Sequence, residues 1–316
     1  MSFPRFPLLL PAILLSLAAC GSSGEDAPTK PARLHEAPIS PDLVATRGER
    51  PLEHYEREVM LVNKWAKQAG ISAGTMATLF EVVKQSRDQT GAGRTMTSDQ
   101  LANVLEALIK QASTKDSAKQ AAAYLVGDRV LRLAWRPFRL TYIEQKPQRN
   151  QLQSVGAESF MVEASGESEY TGDWLRDAVK LDPHGPFGQR AVLLEIESDC
   201  ASGSSPDNYH SFIARLDSLV ASPADSEVKV SAQLLEADAY RDIYVLAHGF
   251  GKQDVDSTKF LPEADVAKVK AIALYQAALA TDSTSRVARG GKLSLDRLVS
   301  GQPLQYARFF CLASSE

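Results

Sequence analysis

Residues 97–112 read TSDQLANVLEALIKQA, and this stretch sets the fold class. Thr97 with Gln100 has the spacing of a capping box, in which two side chains satisfy the first free backbone N–H groups of a helix. Leu101, Val104, Leu105 and Leu108 follow at intervals of three and four, so one face of that helix is apolar. The same grammar recurs on both sides. Ser72 precedes Met76, Leu79 and Phe80, and a third segment opens near Ser113 and Thr114, passing through Ala121, Tyr124 and Leu125 towards Leu131. Apolar residues keep helical rather than alternating spacing from Leu52 to Leu298. The expectation is an all-α protein with strand below roughly a tenth of its residues, against a typical 20–25%.

The chain opens differently. Arg5 is followed by a leucine-rich apolar run over residues 6–17, too short to cross a bilayer as a helix but matched to the core of a secretory signal. The run ends in Leu17-Ala18-Ala19-Cys20, which resembles the lipobox of bacterial lipoproteins. That resemblance implies cleavage before Cys20 and a diacylglyceryl group, with palmitate, on its thiol. Gly21 after the cysteine implies an anchor in the cell outer membrane, facing the periplasm. Gly21-Ser22-Ser23-Gly24 and then Pro28, Pro31, Pro38 and Pro41 lie among polar residues that bury too little apolar surface to offset chain entropy. The organisation expected is a signal peptide over residues 1–19, a flexible tether over 20–50, an N-terminal helical bundle over 51–145, a linker over 146–167 and a second helical region over 168–316.

A chain of 316 residues with formal charge −4 has no basic excess, and loss of Arg5 with the signal makes it one charge more negative. Nothing here attracts nucleic acid. Of the three cysteines, lipidation takes Cys20 and leaves Cys200 and Cys311 as an even pair. In an oxidising envelope these are a candidate disulfide; two separate buried thiols are the other reading. Phe309 and Phe310, beside Cys311, point to a tail docked on the last helices with or without that bridge.

Around residues 129–142 two stripes run side by side. Arg129, Arg132, Arg136 and Arg139 form a basic one; Leu131, Trp135, Phe138 and Tyr142 form an apolar one, with Pro137 kinking the helix or starting a new one. The arginines are either a partner-binding surface or a salt-bridged face beside a core stripe.

In the C-terminal half, Thr171, Leu175, Ala178, Val179 and Pro183 keep intervals of four, three, one and four, and so do Ala271, Tyr275, Ala278, Leu279 and Ser283. This resembles the second helix of tetratricopeptide repeats, which are helix pairs of about 34 residues. A weaker echo runs through Leu216, Leu219 and Pro223, while Pro206 and Pro262 fit first-turn prolines. The resemblance implies an antiparallel helix-pair array over 168–316 whose concave face holds a segment of another envelope or periplasmic protein.

Catalytic patterns are not found. His248-Gly249-Phe250-Gly251 is similar to the oxyanion loop of some hydrolases, but no nucleophile elbow accompanies it. The five histidines, His35, His54, His184, His210 and His248, form no zinc motif. Asp254-x-Asp256 begins like a calcium loop, yet Lys259 stands where its turn needs glycine. Gly91 and Gly93 are too close, and lack a lysine, for a phosphate loop. The reading is a non-catalytic module with no cofactor and no metal site. Its alternatives are an immunity lipoprotein that neutralises an envelope-targeted toxic hydrolase and a carboxylate-dependent hydrolase.

Overall fold

The computed structural model describes residues 51–87, 98–112, 115–135, 146–162, 167–198, 201–202, 205–248, 256–284, 286–302 and 307–311. The protein is all-α. Its helices are α1 (Pro51–Gln68), α2 (Ala73–Arg87), α3 (Ser98–Ala112), α4 (Ser117–Trp135), α5 (Lys146–Ser154), α6 (Asp173–Leu181), α7 (Pro186–Ser198), α8 (Pro206–Ala221), α9 (Ser226–Ala247), α10 (Ala264–Thr281) and α11 (Arg286–Ser300). Four short strands interrupt them: β1 (Ser159–Val162), β2 (Glu167–Tyr170), β3 (Ala201–Ser202) and β4 (Phe310–Cys311). The first two form an antiparallel hairpin with Ser159 opposite Tyr170, and the last two pair in parallel with Ala201 opposite Phe310.

Local chemistry explains where the helices begin. Ser72 Oγ accepts the Thr75 N–H at 3.1 Å and starts α2. Ser205 Oγ accepts from Asp207 ahead of α8, whose first residue is Pro206. Asp225 Oδ1 accepts the Val228 N–H at 2.8 Å ahead of α9. Helix α4 begins at Ser117 rather than near Ser113 and Thr114, because Asp116 Oδ1 accepts from both Ala118 and Lys119. It is described as far as Trp135, and Pro137 lies outside the described residues. Pro262 lies in a 3-10 turn, Leu261–Glu263, that leads into α10. The Thr97 cap and the tether over 20–50 lie outside the described residues.

Two apolar cores meet on α7. The first gathers α1 to α4, Leu152 of α5 and α6, and takes Phe187, Ala191 and Leu194 from α7. The second gathers α8 to α10, Leu298 and Phe309, and takes Leu193 and Ile196 from the same helix. The first core therefore runs without a break across residues 146–167, through Leu152, Ala157 and Tyr170, into α6. An ionic chain runs beside this junction. Lys64 of α1 and Arg190 of α7 both hold Glu227 of α9, at 2.9 and 2.7 Å, and Arg190 also holds Asp225 at 2.8 Å.

The tightest contact in the first core is between α4 and α6. Trp174 is fully buried, donates Nε1–H to the Gly156 carbonyl at 3.0 Å and meets Tyr124 edge to face. Its ring lies flat on the backbone of α4 at Gly127, where a Cβ would fall 2.0 Å from Cζ3. A methyl group there must push the indole out of its seat. Gly127→Ala should therefore lower the urea midpoint by the equivalent of about 1–3 kcal/mol. Gly290→Ala in α11, where a Cβ meets nothing within 4 Å, should be neutral or stabilising by about 0.5–1 kcal/mol.

Candidate functional site

Helix α9 is the axis of the second core, buried along nearly its whole length although it carries Ser231, Gln233, Glu236, Asp238, Arg241 and Asp242. An unpaired charge in such a place costs several kcal/mol, so the partners of these groups decide how the neighbouring elements sit. Asp238, Arg241 and Asp242 are spaced three and one apart and share one face. The Arg241 guanidinium spans both acids, with Nη1 donating to Asp238 Oδ1 at 2.7 Å and Nη2 to Asp242 Oδ1 at 2.9 Å. Tyr275 of α10, which runs antiparallel to α9, donates its hydroxyl to Asp238, and Ser294 of α11 accepts from Arg241 Nη1 at 3.3 Å. Helix α11 comes close because Gly291 faces Leu234, where a Cβ would lie 2.5 Å from Cδ2.

The remaining partners come from the end of the chain. Arg308 Nη1 donates to Asp238 Oδ2, and its Nη2 lies 3.7 Å from the buried Glu197 at the end of α7. The Phe309 N–H donates to Asp242 Oδ2 at 2.7 Å. The Phe309 ring is fully buried, 5.6 Å from that of Phe212 on α8, and β4 then pairs with β3. The docked tail expected from Phe309 and Phe310 is thus present at Phe309, held by a charge, a backbone hydrogen bond and a ring.

These contacts split the two aspartates. Burial raises the Asp238 carboxyl, but Arg241, Arg308 and the Tyr275 hydroxyl outweigh it and hold its pKa below 3.8. Burial wins at Asp242 and raises its carboxyl, despite Arg241 and the N–H groups of Phe309 and Arg308. Arg241 stays charged because the two aspartates overcome its desolvation.

A second polar cluster lies between α8, α9 and α10. Buried Glu236 shares a hydrogen bond with the exposed Asp217. Lys270 stands nearby, donating to the Tyr240 hydroxyl at 3.0 Å. Burial first, then the Asp217 charge and the shared hydrogen bond, push Glu236 up to about 8 against the pull of Lys270. Chemically, Glu236 can take up and release a proton near neutrality.

The arginine stripe is divided. Arg129 is buried, and Arg132 is turned onto its own helix, with Nε donating to buried Asp128 at 3.0 Å and its guanidinium 5.5 Å from the Tyr170 ring centre. Arg132 therefore has its salt-bridge partner, Asp128, one turn away on α4. Arg136 and Arg139 lie outside the described residues, as do Cys20 and Cys200. Cys311 is placed by its backbone alone, opposite Ser202. His248 ends α9 with its ring against Tyr244 and Nδ1 2.9 Å from the Tyr244 carbonyl oxygen, and His210 pairs with Glu263 at 2.9 Å. Asp256 caps a 3-10 turn through Thr258. Among the described residues, no group of three or more His, Cys, Asp or Glu is arranged to hold a metal ion.

Sequence reading missed the Asp238–Arg241–Asp242 cluster. A signal existed: EADAYRDIY, residues 236–244, places four charges inside a helix that has apolar or small residues on every side. Such a helix is core, so its charges must be paired, but nothing local names Arg308 as a partner 70 positions away.

The carboxyl pair gives a pH test. Glu236 keeps in the fold a proton that the unfolded chain loses above 4.5, so its stabilising contribution is complete below 4.5 and is lost as pH rises to about 8. Glu236→Gln should gain on the parent steadily between these values, by up to about 4–5 kcal/mol before solvent screening is discounted, in urea unfolding. A difference that does not change with pH would show that Glu236 is ionised throughout.

No protein-family model matches the sequence, and no curated protein and no solved structure matches the chain.

Proposed function

We propose that this chain is a bacterial envelope lipoprotein, anchored through diacylglycerol on Cys20 to the outer membrane facing the periplasm. Its helical body acts there as a non-catalytic protein–protein interaction module. The anchor rests on Leu17-Ala18-Ala19-Cys20 at the end of a short apolar run. No described helix is long and apolar enough to cross a membrane, so the proposed attachment rests on the lipid.

The observation that carries the module reading is the order in which helices pack. Helix α4 packs on α7, α7 on α9 and α9 on α11, while α6, α8 and α10 alternate beside them: α6 on α4 and α7, α8 on α7 and α9, α10 on α9 and α11. Two layers of alternating helices are the architecture of helix-pair arrays, the tetratricopeptide-like reading of residues 168–316. Repeat positions agree with it. Leu175, Ala178, Ala271, Tyr275 and Ala278 are all buried, the alanines admitting the neighbouring helix and the large residues filling the space between. Arrays of this kind bind through an extended face rather than a catalytic pocket.

A second reading, a carboxylate-dependent hydrolase, draws on the Asp217–Glu236 pair alone. It requires Asp217→Asn to abolish an envelope hydrolytic activity while leaving the fold intact.

The anchor is tested by growth with an alkynyl fatty acid. The protein should take up the label, and Cys20→Ala should lose it and accumulate as precursor. Label that persists in the Cys20→Ala protein contradicts the anchor. For the module, photo-crosslinking from exposed positions on α8, α10 and α11 in intact envelopes should give one reproducible adduct with an envelope protein, and uncrosslinked chain from every position contradicts it.

A further inference from the structure

The C-terminal segment has the form of a bound ligand. After α11 its residues bend at Arg308 and Phe309, pair as a strand at Phe310 and Cys311, and contact α7, α8 and α9 through three separate devices. Arg308 enters an acidic pocket, Phe309 fills an apolar one, and the backbone is read twice, by Asp242 at the Phe309 N–H and by β3 alongside β4. Peptide-recognition sites combine these elements: strand addition for affinity and side-chain pockets for specificity.

The charge arithmetic of the pocket points to its ligand. With Arg308 in place, Asp238, Asp242 and Glu197 face two guanidinium groups. If Arg308 leaves, buried Asp238 keeps Arg241 as one of its two guanidinium partners, and buried Glu197 loses the cation 3.7 Å from it. The pocket then demands a cation, and one that reaches Asp238 and Glu197 together. A guanidinium fork does this, whereas an ammonium group offers a single point of charge. Beside it, the space between Phe212 and the body of the second core is shaped for a ring.

From this geometry we infer that the site formed by Glu197, Phe212, Asp238 and Asp242 is a peptide-binding site for a segment carrying arginine followed by an aromatic residue. In the isolated chain its own Arg308–Phe309 occupies that site, and a partner of that sequence chemistry engages it by displacing the tail. The inference rests on the reading of the chain as an interaction module and gives that module its ligand class.

The test uses the full chain from Cys20 onward, with Cys20→Ser for solubility. A fluorescent peptide of residues 303–316, with Cys311→Ser, is titrated into the parent and into Arg308→Ala/Phe309→Ala. The peptide should bind the double variant and raise its Tm. It should bind the parent at least tenfold more weakly, because the tethered tail competes, and Asp238→Asn in the double variant should remove the binding. A peptide lacking the arginine should not bind. If the double variant does not fold, a protease site placed after Gln302 in the otherwise unchanged chain replaces it: after cleavage the labelled peptide should exchange with the severed tail. No binding to the folded variant and no exchange after cleavage would show a fixed structural cap, and equal binding to parent and variant would place the peptide elsewhere; either result overturns the inference. A fixed cap leaves the module reading standing on its crosslinking test, and exchange without a crosslinked partner has the opposite consequence.

Discussion

The pairing of Arg241 with Asp238 and Asp242 inside α9 is the constraint around which the second half of the protein is organised. A helix buried on all sides contributes most by being apolar, yet this one carries three charges on one face. Arg241 takes one oxygen of each aspartate; the other two, Asp238 Oδ2 and Asp242 Oδ2, recruit Arg308 and the Phe309 N–H from the tail, and Tyr275 of α10 adds a second donor at Asp238 Oδ1. Such a network adds little net stability over an apolar core but penalises every arrangement that leaves a partner missing. It fixes which face of α10 meets α9 and where the chain must end up after α11.

The first half is held differently. Its central contact is the Trp174 indole laid on the glycine backbone of α4, and its ion pairs, Arg132–Asp128 and the Lys64–Glu227–Arg190 chain, each include a partly exposed partner. Shape governs one core and charge the other. They are coupled because α7 gives Ala191 and Leu194 to the first, Ile196 to the second, and Glu197 to the pocket that receives Arg308. A change in how the tail is held therefore reaches the helix that both cores share.

The all-α class was legible because hydrophobic periodicity and caps are local: Ser72, and Ser205 with Pro206, each act within a turn of their own position. Where competing local signals existed, the sequence misled, as at α4, where Asp116 rather than Ser113 or Thr114 supplies the cap. The continuity of the first core through residues 146–167 was hidden because it depends on Tyr170 and Trp174 reaching back to α4, contacts over forty positions that polar composition conceals. Phe309 announced a docked tail, since an exposed end gains nothing from paired phenylalanines. Its destination did not show, because a charge pair between positions 238 and 308 leaves no trace in spacing. Of the basic stripe, Arg132 meets the salt-bridged alternative, held by Asp128 one turn away on its own helix.

The central claim is that Asp238 and Arg308 are coupled across the second core. A double-mutant cycle between Asp238→Asn and Arg308→Ala, read by urea unfolding, measures that coupling directly. The account predicts a coupling energy of about 2 kcal/mol or more, with each single change costing about 3–5 kcal/mol because it strands a buried charge. Additive losses, with a coupling within about 0.3–0.5 kcal/mol of zero, would contradict it.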